Sequence, residues 1–163
     1  MTTVSTSVCV DYTPQQMFDL VNDVRSYPEY LPLCGGVKVH FQSPTNLRAT
    51  LTLAKGKIKF SFTTANTMVE GKSIQMKLVD GPFKFFRGDW VFEPSAKGGC
   101  EAAFQCDFEF SNGLLGLAFG GFFREVMESL VGAFCKQAAV RYAKVQASGT
   151  DQTPVVPSAE RAS

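Results

Sequence analysis

The chain has 163 residues, 45% hydrophobic and 19% charged, with a net charge of +1, which excludes a disordered chain and fits about one domain. Mean hydropathy is +0.01, yet no uninterrupted apolar run approaches the ~18 residues that span a bilayer. Residues 1–5 have no basic start and no apolar core, so no secretory signal is expected, and five scattered cysteines without a C-x-x-C pair point to a reducing compartment.

The first predicted element is a strand with Val4, Thr6, Val8 and Val10 on one parity. Thr13 then reads as a helix N-cap, with Pro14 at the first helical position and Gln16 three residues after the cap. Met17, Phe18, Leu20, Val21 and Val24 follow at helical spacing. Pro28 and Pro32 limit the next segment to one short helical turn. After Gly35 and Gly36 the period becomes two. Val37, Val39 and Phe41 share one face, and Leu47, Ala49, Leu51 and Leu53 form the inner face of a further strand. Ile58, Phe60 and Phe62 face in, then Ile74, Met76 and Leu78, then Trp90 and Phe92, then Phe104, Cys106, Phe108 and Phe110. Turns fall at Lys55-Gly56, Gly71-Lys72 and Lys97-Gly98-Gly99. These are seven strands, an antiparallel meander from the second onward, with one dry and one wet face.

From Leu114 to Tyr142 apolar residues recur at 3.6-type spacing, which predicts one helix of about 25–30 residues. The expected fold is α+β of the helix-grip type: a seven-stranded curved antiparallel sheet wrapped around a long C-terminal helix, with two short helices after the first strand. That domain covers residues 1–145. Residues 146–163 turn to Ser, Thr, Pro and Ala and are expected to be a disordered tail.

The dry side raises the question of function. A helix is about 10–12 Å across, and a deeply curved sheet leaves space beside it. A void of ~300 Å³, the small end of ligand sites, would cost about 7 kcal/mol, against a whole-domain stability of ~5–15 kcal/mol. The space is therefore packed shut by Phe, wet, or filled by an apolar ligand. The candidate lining is Phe60, Phe62, Met76, Leu78, Phe83, Trp90, Phe92, Phe108, Phe110, Phe123, Met127, Leu130 and Phe134. Such a lining selects by shape and suits a prenyl chain, a sterol, a fatty acyl chain or a quinone ring. Two stretches read as its entrance. One is an apolar tip at Gly81–Gly88, with Phe83, Phe85 and Phe86 beside Lys84 and Arg87. The other is Leu114–Phe123, with Leu115 and Phe119 and a helix start loosened by Gly116, Gly120 and Gly121. Apolar tips beside basic residues dock on anionic membrane surfaces; internal packing is the alternative.

Residues 51–100 carry eight basic and four acidic side chains, whereas residues 1–50 carry three basic and four acidic. A basic middle suits an anionic partner such as RNA or lipid head groups, or is a solvated sheet face. No catalytic constellation emerges. His40 and Cys34 lack partners, Asp107 and Glu109 lie on the wet face, and the glycines mark turns and form no phosphate loop. The expectation is a binding module with no metal and no cofactor beyond a bound ligand.

Several segments carry a resemblance: Ser26–Cys34, Phe62-Thr63-Thr64, Val79–Lys84, Gly88-Asp89-Trp90 with Phe92, and Asp107–Phe110 with Asn112. Together they resemble the START-like (polyketide cyclase/dehydrase type) domains of the ubiquinone-binding protein / ribosome-association toxin RatA family, in a bacterial member, over about residues 3–145. The resemblance implies two functions. One, which the apolar interior favours and which is the expected function, is binding of ubiquinone or a similar isoprenoid quinone or lipid in support of respiration. The other is binding of the large ribosomal subunit, with a block on translation initiation. Bacterial relatives often carry Arg after Phe-Thr-Thr where this chain has Ala65, a departure that weighs against the second if that Arg contacts RNA. The expected place is the cytoplasm, with a peripheral position at the inner membrane face under the lipid reading.

Overall fold

The computed structural model describes residues 1–149. Seven strands form one antiparallel sheet: β1 (Thr2–Val10), β2 (Cys34–Gln42), β3 (Asn46–Lys55), β4 (Ile58–Val69), β5 (Ser73–Asp80), β6 (Phe83–Pro94) and β7 (Cys100–Phe110). Strands β2 to β7 run as a meander and β1 closes onto β7, giving the order β1-β7-β6-β5-β4-β3-β2. Helix α1 (Pro14–Asn22), a 3-10 turn (Val24–Ser26) and α2 (Tyr27–Tyr30) lie between β1 and β2, and α3 (Gly113–Gly149) follows β7. The expected α+β helix-grip architecture and its meander are what the chain adopts.

Local chemistry sets the element ends. Thr13 and Gln16 form the anticipated capping box: Thr13 Oγ1 accepts the Gln16 N–H at 3.0 Å and Gln16 Oε1 accepts the Thr13 N–H at 2.9 Å. Asn112 Oδ1 accepts the Leu115 N–H at 2.9 Å and opens α3. That helix is 37 residues long, more than the spacing predicts. Its apolar stripe ends near Tyr142, but no Gly or Pro interrupts residues 133–148, so the backbone continues as helix. The boundary drawn at residue 145 falls inside α3, and residues 150–163 of the expected tail lie outside the described residues.

The core lies between the concave face of the sheet and the buried stripe of α3, which includes Phe123, Val126, Met127, Phe134 and Ala138. Helix α1 closes one end through Met17, Phe18, Leu20 and Val21. Its neighbourhood is tied to α3 by Arg141 Nη2 donating to Asp23 Oδ2 at 3.0 Å and by the Tyr142 hydroxyl donating to the Gln16 carbonyl at 2.5 Å.

Two β-bulges re-aim side chains that strict alternation would place otherwise. In β2 the register shifts between Val39 and Phe41, with Phe41 opposite Arg48. Phe41 is thereby turned outward and is 57% exposed, where alternation puts it inside with Val37 and Val39. In β6 the register shifts between Phe83 and Phe85. Phe83 and Phe86 then both face the core, while Phe85 is 41% exposed. The expected apolar tip at Gly81–Gly88 is therefore corrected: it is a tight turn feeding a strand. Gly81 makes the turn at φ 149°, where a Cβ would sit 2.7 Å from the Phe62 Cβ.

Candidate functional site

A cavity of about 60 Å³ lies between the sheet and α3. Its sheet wall is Ala49, Leu51 and Leu53 of β3, Phe62, Thr64 and Asn66 of β4, Met76 of β5, Phe86 and Trp90 of β6, and Phe104 of β7. Val126, Met127, Leu130 and Phe134 of α3 form the opposite wall. The third side is Val24, Tyr27, Leu31, Pro32 and Cys34, from the short helices and the start of β2. Gly88 shapes it from behind, because a Cβ there would meet the Met76 methyl at 2.4 Å. A void of this size costs about 1.4 kcal/mol at ~24 cal/mol per Å³. The fold carries that cost easily, unlike the larger void considered from the sequence.

Of the residues expected to line a ligand site, Phe62, Met76, Trp90, Met127, Leu130 and Phe134 do line this cavity. Phe60, Leu78, Phe83, Phe92, Phe108, Phe110 and Phe123 do not. Five of those seven pack ring to ring and fill the far end of the interior. Phe123 stands 4.8 Å from Phe108, 5.0 Å from Phe83, 5.9 Å from Phe60 and 6.0 Å from Phe110 between ring centroids. Phe92 is stacked 5.8 Å from Trp90, and Leu78 is half-buried on β5.

The expected entrance residues divide as well. Phe86 is a cavity wall and not an entrance tip, because it shares the inward parity of Trp90 and Phe92 on β6. Phe119 is half-buried against Phe60 at 5.0 Å, and Leu115 is half-buried, so both plug that end. Lys84 and Arg87 are exposed and ion-paired, Lys84 to Glu109 at 4.0 Å and Arg87 to Asp89 at 3.2 Å. An open groove of about 600 Å³ runs between Lys84, Glu109 and the glycines of α3. Leu117, beside those glycines, is 87% exposed. The cavity approaches the surface elsewhere. Pro32 lines both the cavity and an outer groove of about 480 Å³ along Ser129, Gly132 and Ala133.

Polar and titratable groups in the cavity are few. The Thr64 hydroxyl donates to Asn66 Oδ1 at 2.9 Å, and both residues are buried. The Tyr27 hydroxyl donates to the Val21 carbonyl, and burial raises its pKa well above the ordinary tyrosine value. Burial also raises the Cys34 thiol, against a weaker opposite pull from the Gly36 backbone. Neither group is set up as an acid or base near neutral pH. Among the described residues no group of three or more His, Cys, Asp or Glu could hold a metal ion. No helix among them is long and apolar enough to cross a membrane. His40 is exposed, 2.7 Å from the Thr50 hydroxyl.

Residues 10–135 match the family described as polyketide cyclase / dehydrase and lipid transport. The ribosome association toxin RatA of Vibrio cholerae is 44% identical over 142 residues, 87% of this chain and 99% of the relative. The RatA protein of Escherichia coli K12 is 42% identical over 87% of this chain and 90% of the relative. A distant relative, the mitochondrial coenzyme Q-binding protein COQ10 of Drosophila melanogaster, is 25% identical over 81% of this chain and 56% of its own length. Among solved structures, a START superfamily protein from Mycobacterium smegmatis superposes with a TM-score of 0.69 at 20% identity, covering 83% of this chain and 96% of that one. The Zhui aromatase/cyclase from Streptomyces sp. R1128 gives 0.68 at 18% identity, covering 87% and 97%. At those identities the structures speak for the fold alone. The chain belongs to the START-like polyketide cyclase / dehydrase and lipid transport family, on the branch of the RatA proteins.

Proposed function

We propose that the chain is a binding protein of the translation apparatus, which associates with the large ribosomal subunit and hinders subunit joining, and that it is not an enzyme. The observation that carries this reading is the filled interior. A cavity of about 60 Å³ is a fifth of the ~300 Å³ at the small end of ligand sites, so the work is left to the outer surface. The relatives named for ribosome association match over nearly their full length, which supports the same assignment. A cytoplasmic place follows from this partner. Light scattering of mixed small and large subunits tests it. Excess chain is expected to lower the joined fraction, and full joining at saturating chain would overturn the reading.

The cavity's composition favours a second reading, in which it opens to hold a quinone ring or another lipid. The lining is apolar apart from Thr64, Asn66, Tyr27 and Cys34, and the COQ10 relative is named for coenzyme Q binding. Met76, Met127 and Leu130 are the side chains most able to move aside. Under this reading the exposed Leu114 and Leu117, with Lys84 nearby, would face an anionic membrane. Organic extraction of the purified chain followed by mass spectrometry decides it. A co-purifying or reloaded quinone supports it, and repeated absence after incubation with ubiquinone removes it.

A further inference from the structure

The solvent side of the sheet is electrically divided. On it, strands β2 to β5 carry four basic side chains, Lys38, Arg48, Lys59 and Lys77, and one carboxylate, Asp80, at the last position of β5; a fifth, Lys55, has the inward parity of β3 and pairs with Glu125 of α3 at 3.7 Å. Strands β6, β7 and β1 carry five carboxylates and two basic residues. Those two, Lys84 and Arg87, are the ion-paired ones described above. Among the described residues, Lys38, Arg48, Lys59 and Lys77 are all exposed and have no carboxylate within 4.0 Å. Four unpaired cations on one half-face repel one another. A polyanion laid across them would relieve that repulsion.

The register gives the half-face an order. Phe41, Arg48, Ala65 and Lys77 stand opposite one another in a row across β2, β3, β4 and β5. Adjacent strands are about 4.8 Å apart, so Arg48 and Lys77 are roughly 10 Å apart with small Ala65 between them. Hydroxyls fill the next rows: Thr50 and Thr63 are 2.6 Å apart, and Thr52 and Ser61 are 2.7 Å apart. Beside Arg48 stands Phe41, 57% exposed through the β2 bulge. Cations, hydroxyls and an open aromatic ring together are what a nucleic-acid strand requires: phosphate neutralisation, sugar and phosphate hydrogen bonds, and a stacking platform. A membrane surface would ask instead for a continuous aliphatic ridge; among the described residues this half-face exposes only two valines, Val69 and Val79 at the ends of β4 and β5, and the exposed Leu114 and Leu117 belong to α3.

We propose that the β2–β5 half-face is an RNA-binding surface, with phosphates held by Lys38, Arg48, Lys59 and Lys77 and an unpaired base stacked on Phe41. It deepens the ribosomal reading and rests on it only for the RNA being ribosomal. The test is filter binding of the full chain to fragments of deproteinised large-subunit RNA over a salt series. Arg48→Gln with Lys77→Gln should weaken binding tenfold or more near 0.1 M salt. The slope of log affinity against log salt should fall by about 1.4, at ~0.7 per single-strand phosphate contact. Phe41→Ser should weaken binding about fivefold or more with the slope unchanged. Ala65→Lys should fill the gap in the row, raise affinity and steepen the slope by about 0.7. Lys97→Gln, in the β6–β7 turn, should change nothing. All these positions are exposed or half-buried on the surface, and unchanged thermal midpoints would show that the variants fold.

No RNA binding by the unmodified chain would overturn the proposal. So would an Arg48→Gln, Lys77→Gln variant with undiminished affinity and slope, or binding only to phosphatidylglycerol vesicles. Sedimentation with intact large subunits separates this surface from the broader reading. If the unmodified chain and the double variant co-migrate equally, the surface is refuted and ribosome association stands. If intact subunits bind neither while naked RNA discriminates between them, ribosome association falls and the surface stands.

Discussion

Phe123→Ala is the sharpest probe of the closed interior. The ring is fully buried on α3, with six other phenylalanine rings at centroid distances of 4.8–6.1 Å: Phe60, Phe62, Phe83, Phe86, Phe108 and Phe110. Removing a buried Phe costs about 3–5 kcal/mol, and the cost rises where the walls cannot relax into the hole. Here most of the wall is sheet-borne aromatics held by hydrogen-bonded strands, which favours the upper end, about 5 kcal/mol. For a domain of this size that lowers Tm by roughly 10–20 °C. Urea unfolding followed by the fluorescence of Trp90, the single and buried tryptophan, measures it at constant m-value. A loss below about 2 kcal/mol would mean that the rings close up after truncation. The interior would then be loose enough to admit a guest at that end, and the reasoning would fail.

Three further outcomes follow from the same structure. Burial pushes the Cys106 thiol up to about 12, while the unfolded thiol titrates near 8.5. Its contribution is fully present below ~8.5 and is lost as pH rises toward 12. Stability should therefore fall by up to about 1.4 kcal/mol per pH unit over that window, and Cys106→Ala should flatten the slope in urea titrations; an unchanged slope refutes it. Ala49→Val adds methyls to the cavity wall and should leave stability unchanged or raise it by up to ~1 kcal/mol, with ribosome binding untouched; a loss above about 1.5 kcal/mol would mean the void is not there to fill. Thr13→Ala removes the side-chain half of the capping box and should cost about 1 kcal/mol in the same urea assay; no measurable loss would contradict the cap geometry.

How far the sequence could be read is clear from particular residues. Alternation in β3, β4 and β7, and the Thr13-Pro14-x-Gln16 start of α1, express short-range rules that the finished fold keeps. The two bulges were not readable, because a bulge is a mismatch between two strands and neither strand shows it alone. That is why Phe41 comes out and Phe83 goes in; Phe86 was readable from the parity of Trp90 and Phe92. Thr64 and Asn66 are buried despite being polar; the parity running from Phe60 and Phe62 to Met68 carried that signal. Tyr27, Leu31, Pro32 and Cys34 line the cavity from a stretch without strand or helix period, so no pattern pointed to them. The cavity's volume depends on side-chain interdigitation between elements distant in sequence. Composition revealed that an apolar interior exists, but packing determines how little of it is empty.

Under the ribosomal reading the protein works through its outer surface on the large ribosomal subunit, with its interior closed. Sucrose-gradient sedimentation of purified large subunits with the full chain puts that reading to the most direct test. The chain should migrate with the large subunit at low salt and leave it as ionic strength rises, as phosphate-borne affinity must. A chain that stays at the top of the gradient at every salt concentration, while carrying extractable quinone, would contradict the claim.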